Sequence, residues 1–176
     1  MTHWEIIYEA AIDDYGLITT ARAKELGVSA VELPRWVKIG WLQKRGHGVY
    51  RLTKRIPTDF DHYAEAVAFA GRGSVIYGES VLAMMNLAFV NPMKINVATK
   101  IRLRKKLPDW MKVITNTSVE NPACYEGIPC QPMAEAIFCC RKSVPKERLL
   151  SAIAEARSQG YINLKEERIL KKEISK

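Results

Sequence analysis

A chain of 176 residues with 27 Lys or Arg against 19 Asp or Glu has a formal net charge of +8, and 48% of its residues are hydrophobic. That balance supports an ordinary buried core and excludes global disorder, and no apolar run is long enough to cross a membrane. The start carries Glu5, Glu9, Asp13 and Asp14, unlike the basic start of a signal peptide, so a cytoplasmic protein with a polyanionic partner is expected.

Trp4, Ile7, Tyr8, Ala11 and Tyr15 recur at helical spacing and predict an amphipathic helix over residues 3–14, ended by Gly16. In "LITTARAKELG", Thr19 or Thr20 can cap a short helix that Gly27 closes. In "VSAVELPRWVKIG", Ser29 is the expected cap of the next helix, with Leu33, Trp36 and Val37 on one face and Gly40 at its end. Two short helices joined by a glycine-containing turn have the form of a helix-turn-helix. Pro34 lies inside the second helix, five positions after Ser29, where it cannot bond the Ala30 carbonyl. Either the first turn is distorted, which is the expectation here, or the helix starts later and has fewer than two turns.

"WLQKR" and "VYRL" then read as two short strands around a Gly46-His47-Gly48 corner. Tyr50 and Leu52 share one side of their strand and are expected to pack on the helices with Trp41 or Leu42. Pro57 breaks the pattern, and Thr58 with Asp61 gives a capping-box signal. The expected boundary therefore divides residues 1–57 from residues 58–176.

In the second part a helix is predicted over 59–70, with Phe60, Tyr63, Ala64 and Val67 inward, and another near 79–87. "MKINVAT" and "WMKVIT" read as strands and "YEGIPCQ" as a turn and a short strand. "PMAEAIFCCRK" and "PKERLLSAIAEARSQG" read as helices, and a last helix is opened by Asn163 with Glu166. The fold class is α+β: a three-helix unit with a hairpin, then a small mixed α+β domain with C-terminal helices.

The four cysteines, Cys124, Cys130, Cys139 and Cys140, have no zinc spacing and are expected to be reduced, buried small hydrophobes. His3, His47 and His62 form no ligand pair, so neither metal nor cofactor is expected. From Arg35 through Ile56 there are seven cations (Arg35, Lys38, Lys44, Arg45, Arg51, Lys54, Arg55) and no acid. From Ser80 through Pro108 there are six (Lys94, Lys100, Arg102, Arg104, Lys105, Lys106), again without an acid. Acids elsewhere in the chain are expected to leave both stretches unneutralised.

A three-helix unit followed by a hairpin is the winged-helix arrangement, which suits duplex DNA. A helix fits the major groove, and cations at a hairpin corner neutralise phosphates. Arg35 and Lys38 occupy the polar side of the second helix of the pair, opposite Leu33, Trp36 and Val37. Lys44, Arg45 and His47 occupy the corner, where Gly46 and Gly48 permit a tight turn and close approach.

The segment "ITTARAKELGVSAVELPRWVKIGWLQKRGHGVYRL" resembles the N-terminal winged helix of the AbiEi family, antitoxins of the AbiE abortive-infection (type IV) toxin–antitoxin systems of phage defence. "SVIYGESVLAMMNL", "YEGIPCQPMAEAIFCC" and "PKERLLSAIAEARSQGYIN" resemble later family segments in the same order, from about Leu17 to Leu170. Pro34 departs from the family pattern, and the chain is short for it. The resemblance implies a repressor of its own operon that binds double-stranded DNA at promoter repeats. It also implies opposition to a co-encoded nucleotidyltransferase-like toxin without a stable complex, with the C-terminal domain necessary for neutralisation. Mapped onto this chain, DNA contact falls on Thr20, Arg22, Ser29, Arg35 and Lys38 in the helix pair and on Lys44, Arg45, Gly46, His47 and Gly48 in the wing, with Arg35 and Arg45 foremost.

The segment Lys100, Arg102, Arg104, Lys105 and Lys106 is either a second nucleic-acid patch or a solvated loop. Its alternation with Ile101 and Leu103 reads as an exposed edge strand protected by charge. Two other functions stand beside the antitoxin. One is a winged-helix regulator whose second domain senses a ligand or dimerises. The other is a fused nuclease, disfavoured because carboxylates for Mg²⁺ do not cluster and no phosphate loop or nucleophile elbow appears. The expectation is a non-enzyme, monomeric or weakly dimeric, binding paired sites.

Overall fold

The computed structural model describes residues 1–176 as two compact units. The first comprises Met1–Arg72 with Leu103–Pro108, and the second Gly73–Arg102 with Asp109–Lys176. The first unit thus runs past the expected boundary at Pro57, because the next helix is tied to the hairpin.

The first unit begins with α1 (His3–Ile12), opened by a complete capping box between Thr2 and Glu5. Then come β1 (Leu17–Thr19), α2 (Thr20–Glu25), α3 (Glu32–Lys38), β2 (Leu42–Gly46), β3 (Val49–Leu52) and α4 (Asp61–Ala70). The antiparallel sheet has the order β1-β3-β2. This is winged-helix topology, with a short strand between the first two helices. Three residues are too few to show a period, so β1 was not legible in the sequence. The core joins Ile7 and Ala11 of α1, Leu33 and Trp36 of α3, and Leu42, Tyr50 and Leu52 of the hairpin.

Two helix starts differ from expectation. The second helix of the pair begins at Glu32, not after Ser29, and no side chain caps it. Pro34 therefore falls in the first turn, where an N–H has no partner within the helix, and the predicted distortion is unnecessary. Ser29 instead sits in the connection, its Oγ accepting from the Val31 N–H at 3.4 Å. The helix predicted from residue 59 begins at Asp61 and turns a different face inward. Asp61, Ala64, Glu65, Ala66, Phe69 and Ala70 are buried, whereas Phe60, Tyr63 and Val67 are only half-buried.

The second unit holds β4 (Val75–Ile76), α5 (Glu79–Met84), β5 (Ile95–Ala98), β6 (Met111–Ile114), β7 (Ala123–Tyr125), β8 (Ile128–Cys130), α6 (Met133–Cys139), α7 (Lys146–Ser158) and α8 (Leu164–Ser175). Its mixed sheet has the order β6-β5-β4-β8-β7. Asn163 and Glu166 form the expected capping box of α8. The segment after Ala98 is not an edge strand. β5 and β6 are parallel, and parallel neighbours need a crossover of roughly a dozen residues, so this segment must leave the sheet. Two of the four cysteines are exposed, Cys124 and Cys139, and only Cys130 and Cys140 are buried. Burial pushes both buried thiols up to about 12.

Candidate nucleic-acid interface

Arg35 and Lys38 stand one helical turn apart on α3, on the side opposite buried Leu33 and Trp36. Both are exposed and neither enters an ion pair. The one acid of α3, Glu32, is drawn away by His3, whose Nδ1 lies 2.6 Å from Glu32 Oε1. In α2, Thr19 is the cap, accepting from the Arg22 N–H at 3.1 Å. Thr20 is half-buried, and its N–H donates to the Gly48 carbonyl at 2.9 Å, fastening the helix pair to the hairpin corner. Arg22 is exposed and pairs with Glu25 at 3.1 Å.

The hairpin corner is a two-residue turn of His47 and Gly48, with Gly46 opposite Val49. Gly48 has φ +69°, which favours glycine there. Gly46 has another reason: a Cβ there would overlap the Phe69 ring of α4. The register slips between Lys44 and Gly46, so Arg45 is the extra residue of a β-bulge. A bulge re-aims a side chain. Lys44 and His47 remain exposed, whereas Arg45 Nε donates to Glu65 Oε1 at 2.9 Å.

Glu65 and Asp61 lie four residues apart on α4 and are almost fully buried, at 1% and 3% exposure. Arg51 Nη2 is 3.1 Å from Asp61 Oδ2 and 3.4 Å from Glu65 Oε2. Arg55 Nη1 donates to Asp61 Oδ2 at 2.6 Å. Thr58 gives Asp61 Oδ1 both its N–H, at 3.1 Å, and its hydroxyl, at 2.7 Å. Burial pushes the Asp61 carboxyl up, but the Arg55 and Thr58 hydrogen bonds and the Arg51 charge outweigh it and hold the pKa below the ordinary value.

This corrects the expectation that the first basic stretch stays unneutralised. Three of its seven cations, Arg45, Arg51 and Arg55, are held by two acids of α4. Arg35, Lys38, Lys44 and Lys54 keep their charge exposed. The sequence carried a usable signal: two acids at helical spacing on a face shared with Ala64 and Phe69 need cations, and the hairpin just before them holds a surplus.

The second basic segment is a loop that the two units divide. Lys100 and Arg102 fall in the second unit, and Arg104, Lys105 and Lys106 in the first. All but Lys105 are exposed; burial lowers the Lys105 pKa. None of the five enters an ion pair.

No helix is long and apolar enough to cross a membrane. No curated protein matches the chain. Among solved structures, one described as "Crystal structure of RV2827C protein from Mycobacterium tuberculosis" is similar at 14% identity and a TM-score of 0.42, covering 96% of this chain and 80% of that one. Residues 5–53, which span α1 to the end of the hairpin, match the family described as "Transcriptional regulator, AbiEi antitoxin", so the winged helix of this chain is similar to that of the AbiEi antitoxin regulators.

Proposed function

We propose that this chain is a cytoplasmic, non-enzymatic DNA-binding antitoxin that represses its own operon and opposes a co-encoded nucleotidyltransferase-like toxin. The observation that carries the reading is the sorting of charge in the winged-helix unit. Arg45, Arg51 and Arg55 are consumed by Asp61 and Glu65, while Arg35 and Lys38 on α3 and Lys44 on β2 beside the corner stay exposed. In this reading α3 enters the major groove, with Arg35 and Lys38 toward the DNA. Lys44 and His47 meet phosphates, and Gly46 and Gly48 shape the wing. Arg45 acts mainly by positioning the wing through Glu65. Thr20, Arg22 and Ser29 flank the backbone contacts, and the Lys100–Lys106 loop adds non-specific affinity. The protein is a monomer or weak dimer that occupies paired promoter repeats, and neutralisation proceeds without a stable antitoxin–toxin complex.

A reporter driven by DNA from immediately upstream of the gene tests repression, and co-expression with the neighbouring toxin gene tests neutralisation. The reading expects repression that is lost in Arg35→Ala/Lys38→Ala, and toxin rescue that survives in the same variant. An unrepressed reporter with the folded wild type, or a toxin that stays lethal, overturns the corresponding half.

A further inference from the structure

The winged-helix unit has a cleft lined by none of the residues proposed to meet DNA. Trp4, Tyr8, Gly40, Trp41, Leu52 and Lys54 line it, around a volume of about 200 Å³. Trp4 is the hub of its aromatic wall. Its ring centroid lies 4.6 Å from that of Trp41, 5.8 Å from Tyr8 and 5.3 Å from Trp36. Only Trp36 of these is buried; Tyr8 and Trp41 leave 42% and 45% of their surface open. Gly40, at φ +80°, has nothing within 4 Å of where a Cβ would stand, which keeps the floor open. Lys54 is exposed and enters no ion pair.

Three π faces, an aliphatic floor and one uncommitted ammonium form a specific combination. The faces select a planar ring by stacking. The ammonium selects an anionic substituent on that ring through a charge-assisted hydrogen bond. A volume of about 200 Å³ lies below the usual range for drug-sized ligands and suits a single ring system. We propose that this cleft binds a small planar aromatic monoanion of the aryl-carboxylate class, its ring against Trp4 and Trp41 and its carboxylate on Lys54.

The four tryptophans are Trp4, Trp36, Trp41 and Trp110, and their indole N–H resonances read the cleft directly. Trp110 belongs to the other unit and is the internal control. Benzoate is titrated at neutral pH into the full-length, ¹⁵N-tryptophan-labelled protein. Cyclohexanecarboxylate serves as the non-aromatic anion and benzyl alcohol as the neutral aromatic. The proposal expects saturable benzoate shifts at Trp4 and Trp41 with Trp110 unmoved. Benzyl alcohol, and benzoate with Lys54→Gln, should bind about tenfold more weakly, the cost of one charge-assisted bond, and cyclohexanecarboxylate should bind up to about tenfold more weakly for want of a stacking face. Lys54 is exposed and unpaired, so its variant keeps the fold, which the unchanged spectrum verifies. Equal affinity for benzyl alcohol, or for Lys54→Gln, overturns anion selection. Shifts that do not saturate, or that follow protein concentration without ligand because a second copy fills the cleft, overturn the site.

Discussion

Glu65 is nearly fully buried and faces two arginines, Arg45 and Arg51. Removing Glu65 leaves half-buried Arg45 without its acid and Arg51 with Asp61 alone. Glu65→Ala should therefore destabilise the protein by about 3–5 kcal/mol in urea unfolding. Arg35→Ala, at an exposed and unpaired position, should change stability by no more than about 0.5 kcal/mol while weakening DNA binding. The contrast separates arginines that hold the wing from those free to meet DNA. Asp61 gives the cluster a pH signature. Its folded pKa lies below 3.8, so its stabilisation is complete above that pH and is lost as pH falls through the lower folded value. Acid titration of the unfolding midpoint should show this loss, and Asp61→Asn should flatten it. At the cysteines, burial keeps Cys130 and Cys140 protonated at neutral pH, while Cys124 and Cys139 are exposed. Brief alkylation of the native protein should add two groups, at Cys124 and Cys139, as counted by mass spectrometry.

At the scale of elements, the wing is joined to α4 both by charge and by shape. Gly46 leaves room for Phe69, which is only 2% exposed. Gly46→Ala should cost about 1–3 kcal/mol through overpacking, and pairing it with Phe69→Leu should recover part of that loss in thermal melting. Most elements were legible because their signals are local. Glycines, caps and helical periods place α1, α2, the hairpin and α8 within a few residues. What escaped depends on distant partners. β1 exists only because β3 receives it. The edge strand expected at residues 101–104 gives way to a crossover because β5 and β6 are parallel. The start of α3 at Glu32 also follows from tertiary placement, since a Ser29 cap is equally plausible in the sequence. Of the candidate site, the exposed cations of α3 and the wing corner could be read from periodicity. The acids of α4 signalled that some hairpin cations are captured, but not that Arg45 is one of them, since that needs a bulge and an acid twenty residues away.

For the molecule as a whole, the first compact unit runs past Pro57 to Arg72 and adds Leu103–Pro108. A fragment of residues 1–57 lacks Asp61, Glu65 and Phe69 and should not melt cooperatively, whereas residues 1–72 should do so by circular dichroism. Net charge alone makes a chain adhere to polyanions; sorted charge makes a face. The central claim is that α3 and the wing corner form that face. Its most direct test is a gel-shift titration at several salt concentrations. Upstream DNA is compared with scrambled DNA, for wild type and for Arg35→Ala/Lys38→Ala. The account predicts tighter binding to the upstream DNA. The double variant should lose that preference, and its log–log salt slope should be shallower, because two cations leave the DNA-facing side of α3. Equal binding of wild type to both DNAs, or an unchanged salt slope in the variant, would contradict it.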